Sequence, residues 1–268
     1  MKKIFLYTLL ISFGISSCQT SKSTSSRRSN SSSENLNKEA TVMWQQTAAE
    51  YDALCYQAFN MAKDRIDLAT KENRGAGFNI VMDLDETVLD NSPYYGYLIK
   101  NNKDSDVDSW KRWVQLANAE LVPGALDFIR YAESKGITIY YISNRSAVNI
   151  NFTIENLGKR GVNATQENLL LSIGNTSKNG RRMAISKLGD LLLLIGDNLA
   201  DFTGEYEVDM GFVERAKSVE ANKDLFSRRF ILVPNPMYGG WEKALNFDDP
   251  LIDENSKGGK LKHLSSFE

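Results

Sequence analysis

Apolar residues follow two patterns along this chain: some recur at helical spacing, others form short and nearly continuous runs. Between about Lys38 and Thr70 they stand at Tyr51, Leu54, Cys55, Ala58, Phe59, Ala62, Ile66 and Ala69. That spacing predicts one long helix with a single apolar face, packed on a core. Four short runs follow, Phe78–Met82, Ile137–Ile142, Leu191–Ile195 and Phe230–Val233. Each has the length of a strand, and continuous hydrophobicity marks strands buried on both faces, hence a parallel sheet covered by helices. Between the first two runs, Pro123 to Gly136 predicts a helix with Pro near its start and Gly just past its end. The expected fold is α/β, an open parallel sheet flanked by helices, with an extra N-terminal helix. Residues from about 91 to 121 are more polar and carry Trp110 and Trp113, which predicts a small cap over the sheet. No internal repeat is present.

The N-terminus departs from both patterns. Lys2 and Lys3 precede an apolar run from Ile4 to Ile15, then small residues, then Cys18. The run is short for a membrane span and fits a secretion signal. A Cys directly after small residues resembles a bacterial lipobox, in which Cys18 would become the lipidated first residue of the mature protein. Ile15-Ser16-Ser17-Cys18 differs from the commonest Leu-Ala-Gly-Cys form, so the alternative is a cleaved signal and a soluble periplasmic protein. Thr20 to about Asn37 is Ser, Asn, Lys and Arg with almost nothing apolar, a composition that cannot repay the entropy of ordering. The chain thus divides into a signal (1–17), a flexible tether (18–37), a folded domain (38–255) and a polar tail (256–268).

Composition narrows the chemistry. With 268 residues, 42% of them hydrophobic, the chain supports one sizeable core. Its 32 basic and 34 acidic side chains leave a net charge of −2, so no global basic field draws it to a nucleic-acid polymer. The single histidine, His263, lies in the polar tail, which argues against a Ser-His-Asp triad, a multi-His zinc centre or histidine-based phosphate transfer. If Cys18 is lipidated, Cys55 has no partner and reads as a small buried apolar residue. Chemistry must run on carboxylates, lysine, hydroxyls, backbone amides and a hard metal ion.

In an open parallel sheet, ligands sit beyond the carboxyl ends of the strands. After the first apolar run comes Asp83-Leu84-Asp85-Glu86-Thr87, after the second Ser143-Asn144-Arg145, and after the third Gly196-Asp197-Asn198-Leu199-Ala200-Asp201. Side chains two apart on an extended segment point the same way, so Asp83 and Asp85 are expected to face one site while Leu84 turns into the core. Two carboxylates that close repel unless they share a cation. With Asp197 from a neighbouring strand they form an oxygen-rich site suited to Mg²⁺. A lone Asp-x-Asp is commonly a solvated turn, but three polar clusters at three strand ends are not. A carboxylate attacks a phosphoryl group only when the phosphate charge is neutralised by a metal and a protein cation. Lys178, between the second and third clusters, is the candidate cation, with an ordinary surface lysine as the competing reading.

Together these segments resemble the four motifs of the haloacid dehalogenase (HAD) superfamily as they occur in class C acid phosphatases, the bacterial outer-membrane lipoprotein 5′-nucleotidases. The flanks Val88-Leu89-Asp90-Asn91-Ser92-Pro93-Tyr94 and Tyr238-Gly239-Gly240-Trp241-Glu242 add to the likeness, which spans about Trp44 to Asn246. The resemblance implies a HAD-like Rossmannoid sheet with Asp83 as nucleophile and Asp85 as the acid that protonates the leaving oxygen and then activates water. It implies Mg²⁺ held by Asp83, the carbonyl of Asp85 and Asp197. Ser143, the Asn144 amide and Lys178 would bind phosphoryl oxygens, and Asp201 would support the metal site and Lys178. It further implies that Trp110 and Tyr238 stack a nucleotide base, that small phosphomonoesters such as 5′-nucleotides or nicotinamide mononucleotide are substrates, and that homodimers form. Gln19 after Cys18 fits sorting to an outer membrane. The lysine segment carries fewer Lys than is usual in the family, and its link to the fourth motif is slightly shorter. Two other functions fit the residues: a broad HAD phosphatase in which Trp110 and Tyr238 merely pack, and a surface binding lipoprotein without turnover.

Overall fold

The computed structural model describes residues 38–72, 77–174, 176–247 and 263–267. The expected signal, the Cys18 lipidation site, the tether and most of the polar tail lie outside these. Among the described residues, no helix is long and apolar enough to cross a membrane.

The predicted parallel sheet is present, with five strands: β1 (Phe78–Met82), β4 (Thr138–Ser146), β5 (Leu169–Ser172), β6 (Asp190–Gly196) and β7 (Phe230–Leu232). Their order is β5-β4-β1-β6-β7 and every pairing is parallel. Central β1 places Ile80 between Ile139 and Leu193, and Met82 between Tyr141 and Ile195. Ile80 and Met82 join the larger core on one face, whereas Val81 joins a smaller cluster with Ile142, Leu194 and Phe230 on the other. Both faces are covered, which is why the run is apolar apart from Asn79. The four-run expectation missed β5. Only three leucines mark it, and its place comes from pairing Leu169 with Tyr141 and Leu170 with Ile142.

The single N-terminal helix is also corrected, because Ala48 adopts an extended conformation (φ −83°, ψ 122°). Residues 38–47 form α1, and Ala49–Lys71 forms α2. Trp44 of α1 meets Tyr51 of α2 edge to face, with ring centres 5.8 Å apart. The expected stripe of α2 is buried except for Leu54, which lies at its edge and remains exposed. Cys55 is fully buried, and burial pushes its thiol up to about 12. Phe59 stacks on Phe128 of α5 (Ala125–Ser134) at 5.5 Å, joining the two helices that cover one face of the sheet.

The cap comprises α3 (Ser92–Lys100), α4 (Val107–Gln115) and an antiparallel pair, β2 (Leu89–Asp90) with β3 (Glu120–Leu121). The start of α4 is fixed by a reciprocal cap: the Asp106 carboxylate accepts the Ser109 amide at 2.8 Å, and the Ser109 hydroxyl accepts the Asp106 amide. Trp113 donates its indole N–H to Asn91 Oδ1 at 2.8 Å, tying α4 to the segment that leaves β2.

Gly124, at the start of α5, has φ +83°, and a Cβ there would stand 3.0 Å from the Tyr56 ring and 3.1 Å from that of Phe59. Gly136, past the end of α5, has φ +73° and open space around it. Both Ala variants incur the left-handed backbone cost of about 1–2 kcal/mol. Gly124→Ala is expected to lose more than Gly136→Ala in denaturant unfolding, because only the former also displaces packed rings. Equal losses would show that the α2–α5 contact yields without cost.

Candidate active site

The carboxyl ends of β1, β4 and β6 converge as the chain leaves the sheet. At the end of β1 the Asp83 amide donates to Ile195 O at 2.9 Å, carrying the β1–β6 ladder one residue further. Leu84 is fully buried and its carbonyl accepts the amides of Thr87, Val88 and Leu89. This tight turn places Glu86 at φ +60°. Asp83 and Asp85 therefore leave the strand on the cavity side, as the alternation predicted.

Lys178 is the first residue of α7 (Lys178–Ile185), whose start is capped by Ser177 accepting the Gly180 amide at 3.0 Å. Its buried ammonium donates to Asp83 Oδ1 at 2.5 Å and to Asp201 Oδ1 at 2.6 Å. Asp201 lies in the single turn Leu199–Asp201 after β6, where its Oδ2 accepts the Asn198 amide at 2.9 Å. Gly196 makes this possible, because a Cβ there would fall 2.3 Å from Asp201 Oδ2. Half-buried Asp197 accepts from Asn235 Nδ2 at 2.8 Å and from the Thr87 hydroxyl at 3.2 Å.

Carboxylate oxygens of Asp83, Asp197 and Asp201 lie within 4.8 Å of one another. Burial raises the Asp83 carboxyl well above the usual carboxylate range; Lys178 opposes this, while Asp201, Asp197 and Asp85 add to it. Asp197 is pushed up to about 7, by burial first and by Asp201 second. For Lys178, burial alone would lower the ammonium, but Asp201 and Asp83 outweigh it and hold the group above its ordinary value. Three carboxylates beside one ammonium leave uncompensated negative charge, which fits a hard divalent cation with oxygen ligands. The triad shares Asp83 and Asp197 with the expected ligands and brings in Asp201, while the Asp85 carboxylate is turned elsewhere.

Asp85 Oδ1 takes Arg145 Nε at 2.9 Å, Arg145 Nη2 at 2.8 Å and Asn91 Nδ2 at 2.9 Å, while Oδ2 takes the Ser143 hydroxyl at 3.2 Å. Ser143 is fully buried and its Oγ also accepts the Arg145 amide at 3.0 Å. The Asn144 side chain accepts from Arg181 Nη2 at 3.1 Å, and Arg181 Nη1 reaches the carbonyls of Ser143 at 2.6 Å and Leu170 at 2.8 Å. Arg145 and Arg181 were not among the sequence candidates, although Arg145 closes the second of the three clusters and Arg181 follows Lys178 by three residues.

Asp83, Asp85, Lys178 and Asp197 line one cavity of about 930 Å³, and Trp110 and Tyr238 line it too. The two rings have separate supports. Trp110 meets Tyr94 edge to face at 5.2 Å and lies under the Arg145 guanidinium at 5.8 Å. Tyr238 stacks on Tyr95 at 5.0 Å and donates its hydroxyl to the fully buried Glu86. Burial, with Asp85 and Asp197 nearby, raises Glu86 well above the usual carboxylate range. Glu86 and Tyr95 are further site residues that periodicity did not single out.

Residues 6–241 match the family described as HAD superfamily, subfamily IIIB (acid phosphatase). The chain is similar to the solved structure of the class C acid phosphatase from Bacillus anthracis, with 38% identity and a TM-score of 0.81, over 89% of this chain and 100% of that one. It is similar to the crystal structure of class C acid phosphatase from Bacillus anthracis with tungstate bound, with 38% identity and a TM-score of 0.80, over 87% and 99%. With acidic side chains at two strand ends, the buried lysine between Asp83 and Asp201, and these likenesses along nearly its whole length, the chain belongs to the class C acid phosphatases of HAD subfamily IIIB, hydrolases of phosphoric monoesters.

Proposed function

We propose that Asp83 is the nucleophile of a Mg²⁺-dependent hydrolysis of small phosphomonoesters through an aspartyl phosphate, with 5′-nucleotides or nicotinamide mononucleotide as the first substrates to consider. The observation that carries this reading is the short contact of Lys178 with Asp83 and Asp201 at the cavity floor. Lys178 holds Oδ1 of Asp83, leaving Oδ2 to attack phosphorus. As that O–P bond forms and the ester P–O bond breaks, Asp85 gives a proton to the leaving oxygen. Asp85 then takes a proton from the water that attacks the aspartyl phosphate, releasing inorganic phosphate and restoring Asp83. Three donors crowd Asp85 Oδ1, so Oδ2, with only the Ser143 hydroxyl, is the oxygen placed to exchange that proton. Mg²⁺ held by Asp83, Asp197 and Asp201, with the Asp85 carbonyl implied by the family resemblance, would neutralise the phosphoryl oxygens. The relative solved with tungstate supports an oxyanion site, since tungstate, like phosphate, is a tetrahedral oxyanion.

Nucleotide preference is read from Trp110 and Tyr238 on the wall of the same cavity. A second reading, a phosphatase indifferent to the ester's other half, is favoured by the supports these rings already have in Tyr94 and Tyr95. The N-terminal sequence supports attachment to the bacterial envelope through lipidated Cys18.

Asp83→Asn is expected to lower turnover more than about a hundredfold at saturating Mg²⁺ with unchanged circular dichroism, a barrier increase above about 2.7 kcal/mol. Activity within about tenfold of wild type would remove Asp83 from the nucleophile role.

The raised carboxyls give a stability signature. An acid whose pKa is higher in the folded state ionises first in the unfolded chain, so folding stability falls as pH rises from the unfolded value near 4 to the folded one. For Asp197 that window closes at about 7. Chelator-treated protein should melt lower at pH 7 than at pH 5, and added Mg²⁺ should raise the melting temperature more at pH 7. A Mg²⁺ effect identical at the two pH values would place the ion elsewhere.

Replacing Trp110 or Tyr238 by Ala should remove stacking worth about 1–3 kcal/mol, lowering kcat/KM for 5′-nucleotides by roughly five- to a hundredfold. A simple sugar phosphate should be nearly unaffected. Parallel losses on both substrates would assign the rings to packing and favour the indifferent phosphatase.

A further inference from the structure

The cavity continues past the catalytic cluster to a second cation. Arg215 lies on α8 (Phe212–Ala221), is 9% exposed, and lines the cavity that also holds Asp83. Its guanidinium stands over the Tyr206 ring, with Cζ 5.7 Å from the ring centre, and makes no hydrogen bond or ion pair with any described residue. Buried polar groups are almost always hydrogen-bonded, and a guanidinium offers five donors. Arg215 is buried as a residue but is open to the cavity it lines, so its unpaired donors are available to a ligand that enters there.

The guanidinium rests against Gly240, the first residue of α9 (Gly240–Phe247). A Cβ at that position would lie 2.8 Å from Nη2 and 3.1 Å from both Nη1 and Cζ. At the start of α9 the amides of Glu242 and Lys243 turn back to the Gly239 carbonyl at 3.2 and 3.4 Å, while no described partner takes those of Gly240 and Trp241. A helix N-terminus and a bidentate guanidinium thus stand side by side, and each favours oxyanions. A Cβ at Gly239 would lie 2.8 Å from Asn198 Nδ2, so this turn also touches the residue after Asp197. Of the acids nearby, Glu207 already accepts from Arg182 at 3.1 Å and from the Asn179 amide at 2.5 Å.

We propose that Arg215, with the first amides of α9, is a second anion subsite that selects phosphomonoesters carrying a second phosphate group. The inference rests on hydrolysis at Asp83 and extends it to the far end of the substrate. The size of the cavity, about 930 Å³, leaves room for a substrate with two charged ends.

Fructose 6-phosphate and fructose 1,6-bisphosphate test this without involving base stacking. Wild type should prefer the bisphosphate in kcat/KM by roughly ten- to a hundredfold, the worth of a charge-assisted contact. Two hydrolysable phosphates alone account for the sum of the kcat/KM values of fructose 1-phosphate and fructose 6-phosphate, about twofold when the two ends react alike. Arg215→Met should reduce the preference to that value, and Arg215→Lys should retain part of it, with melting temperatures checking the fold of each. If the Met variant does not fold, the wild-type preference and its partial loss in the Lys variant decide. A wild-type preference of about twofold or less, or one that survives Arg215→Met, overturns the subsite. Hydrolysis of neither sugar phosphate, with p-nitrophenyl phosphate also untouched, would instead overturn the hydrolytic reading beneath it.

Discussion

One ammonium group sits where three elements of the fold must meet. Lys178 reaches from the first residue of α7 to Asp83 at the end of β1 and to Asp201 in the turn after β6. Neither acid could be buried this deeply without it, since an unpaired buried charge costs several kcal/mol. The lysine depends on its acids in turn, because burial by itself lowers the ammonium and the two acids outweigh that effect. The pair of contacts sets the distance between two adjacent strand ends and the helix facing them. That spacing is the width of the cavity floor.

The remaining site residues are arranged around this floor by contacts with backbone carbonyls, with one another and with Asp85. Arg181 spans the Ser143 and Leu170 carbonyls and so braces the end of β4 against β5. Arg145 fills the space between Asp85 and the cap, with Asn91 and Trp113 completing the chain of donors and acceptors. Asn91 receives the indole proton and passes an amide proton to Asp85, so cap and sheet share one hydrogen-bond network. The glycine at 196 is part of the same device, since any side chain there would occupy the space of the Asp201 carboxylate.

Much of this was legible in the sequence for a physical reason. A parallel sheet brings the carboxyl ends of all its strands to one edge, so acids after apolar runs must converge, and Asp83 and Asp197 did. β1 was read at its observed ends because both of its faces are buried and Asn79 is the one polar residue in a run of apolar ones. β5 was not, because three leucines carry too little pattern and its pairing to β4 is a tertiary fact. The break at Ala48 was hidden by the residue itself, since Ala favours helix more than any other and nothing local announces an extended conformation. The direction of the Asp85 carboxylate was hidden too. Alternation along a strand tells which side a residue leaves from, not which partner its oxygens choose once Arg145 is present.

The bond from Tyr238 to Glu86 bears on how the cavity wall behaves when a ligand arrives. Glu86 is buried with a carboxyl that resists ionisation, and its donors are the Tyr238 hydroxyl and the Asn91 amide. Swinging Tyr238 aside would leave a buried acid short of a donor and separate two stacked rings. The ring is thereby held in one orientation before anything binds. A flat ligand that lies against it has no side-chain entropy of Tyr238 to freeze, so contact energy is retained as affinity rather than spent on ordering. The same rigidity sets a limit: a bulky group that needs the tyrosine to move would have to break that bond and that stack.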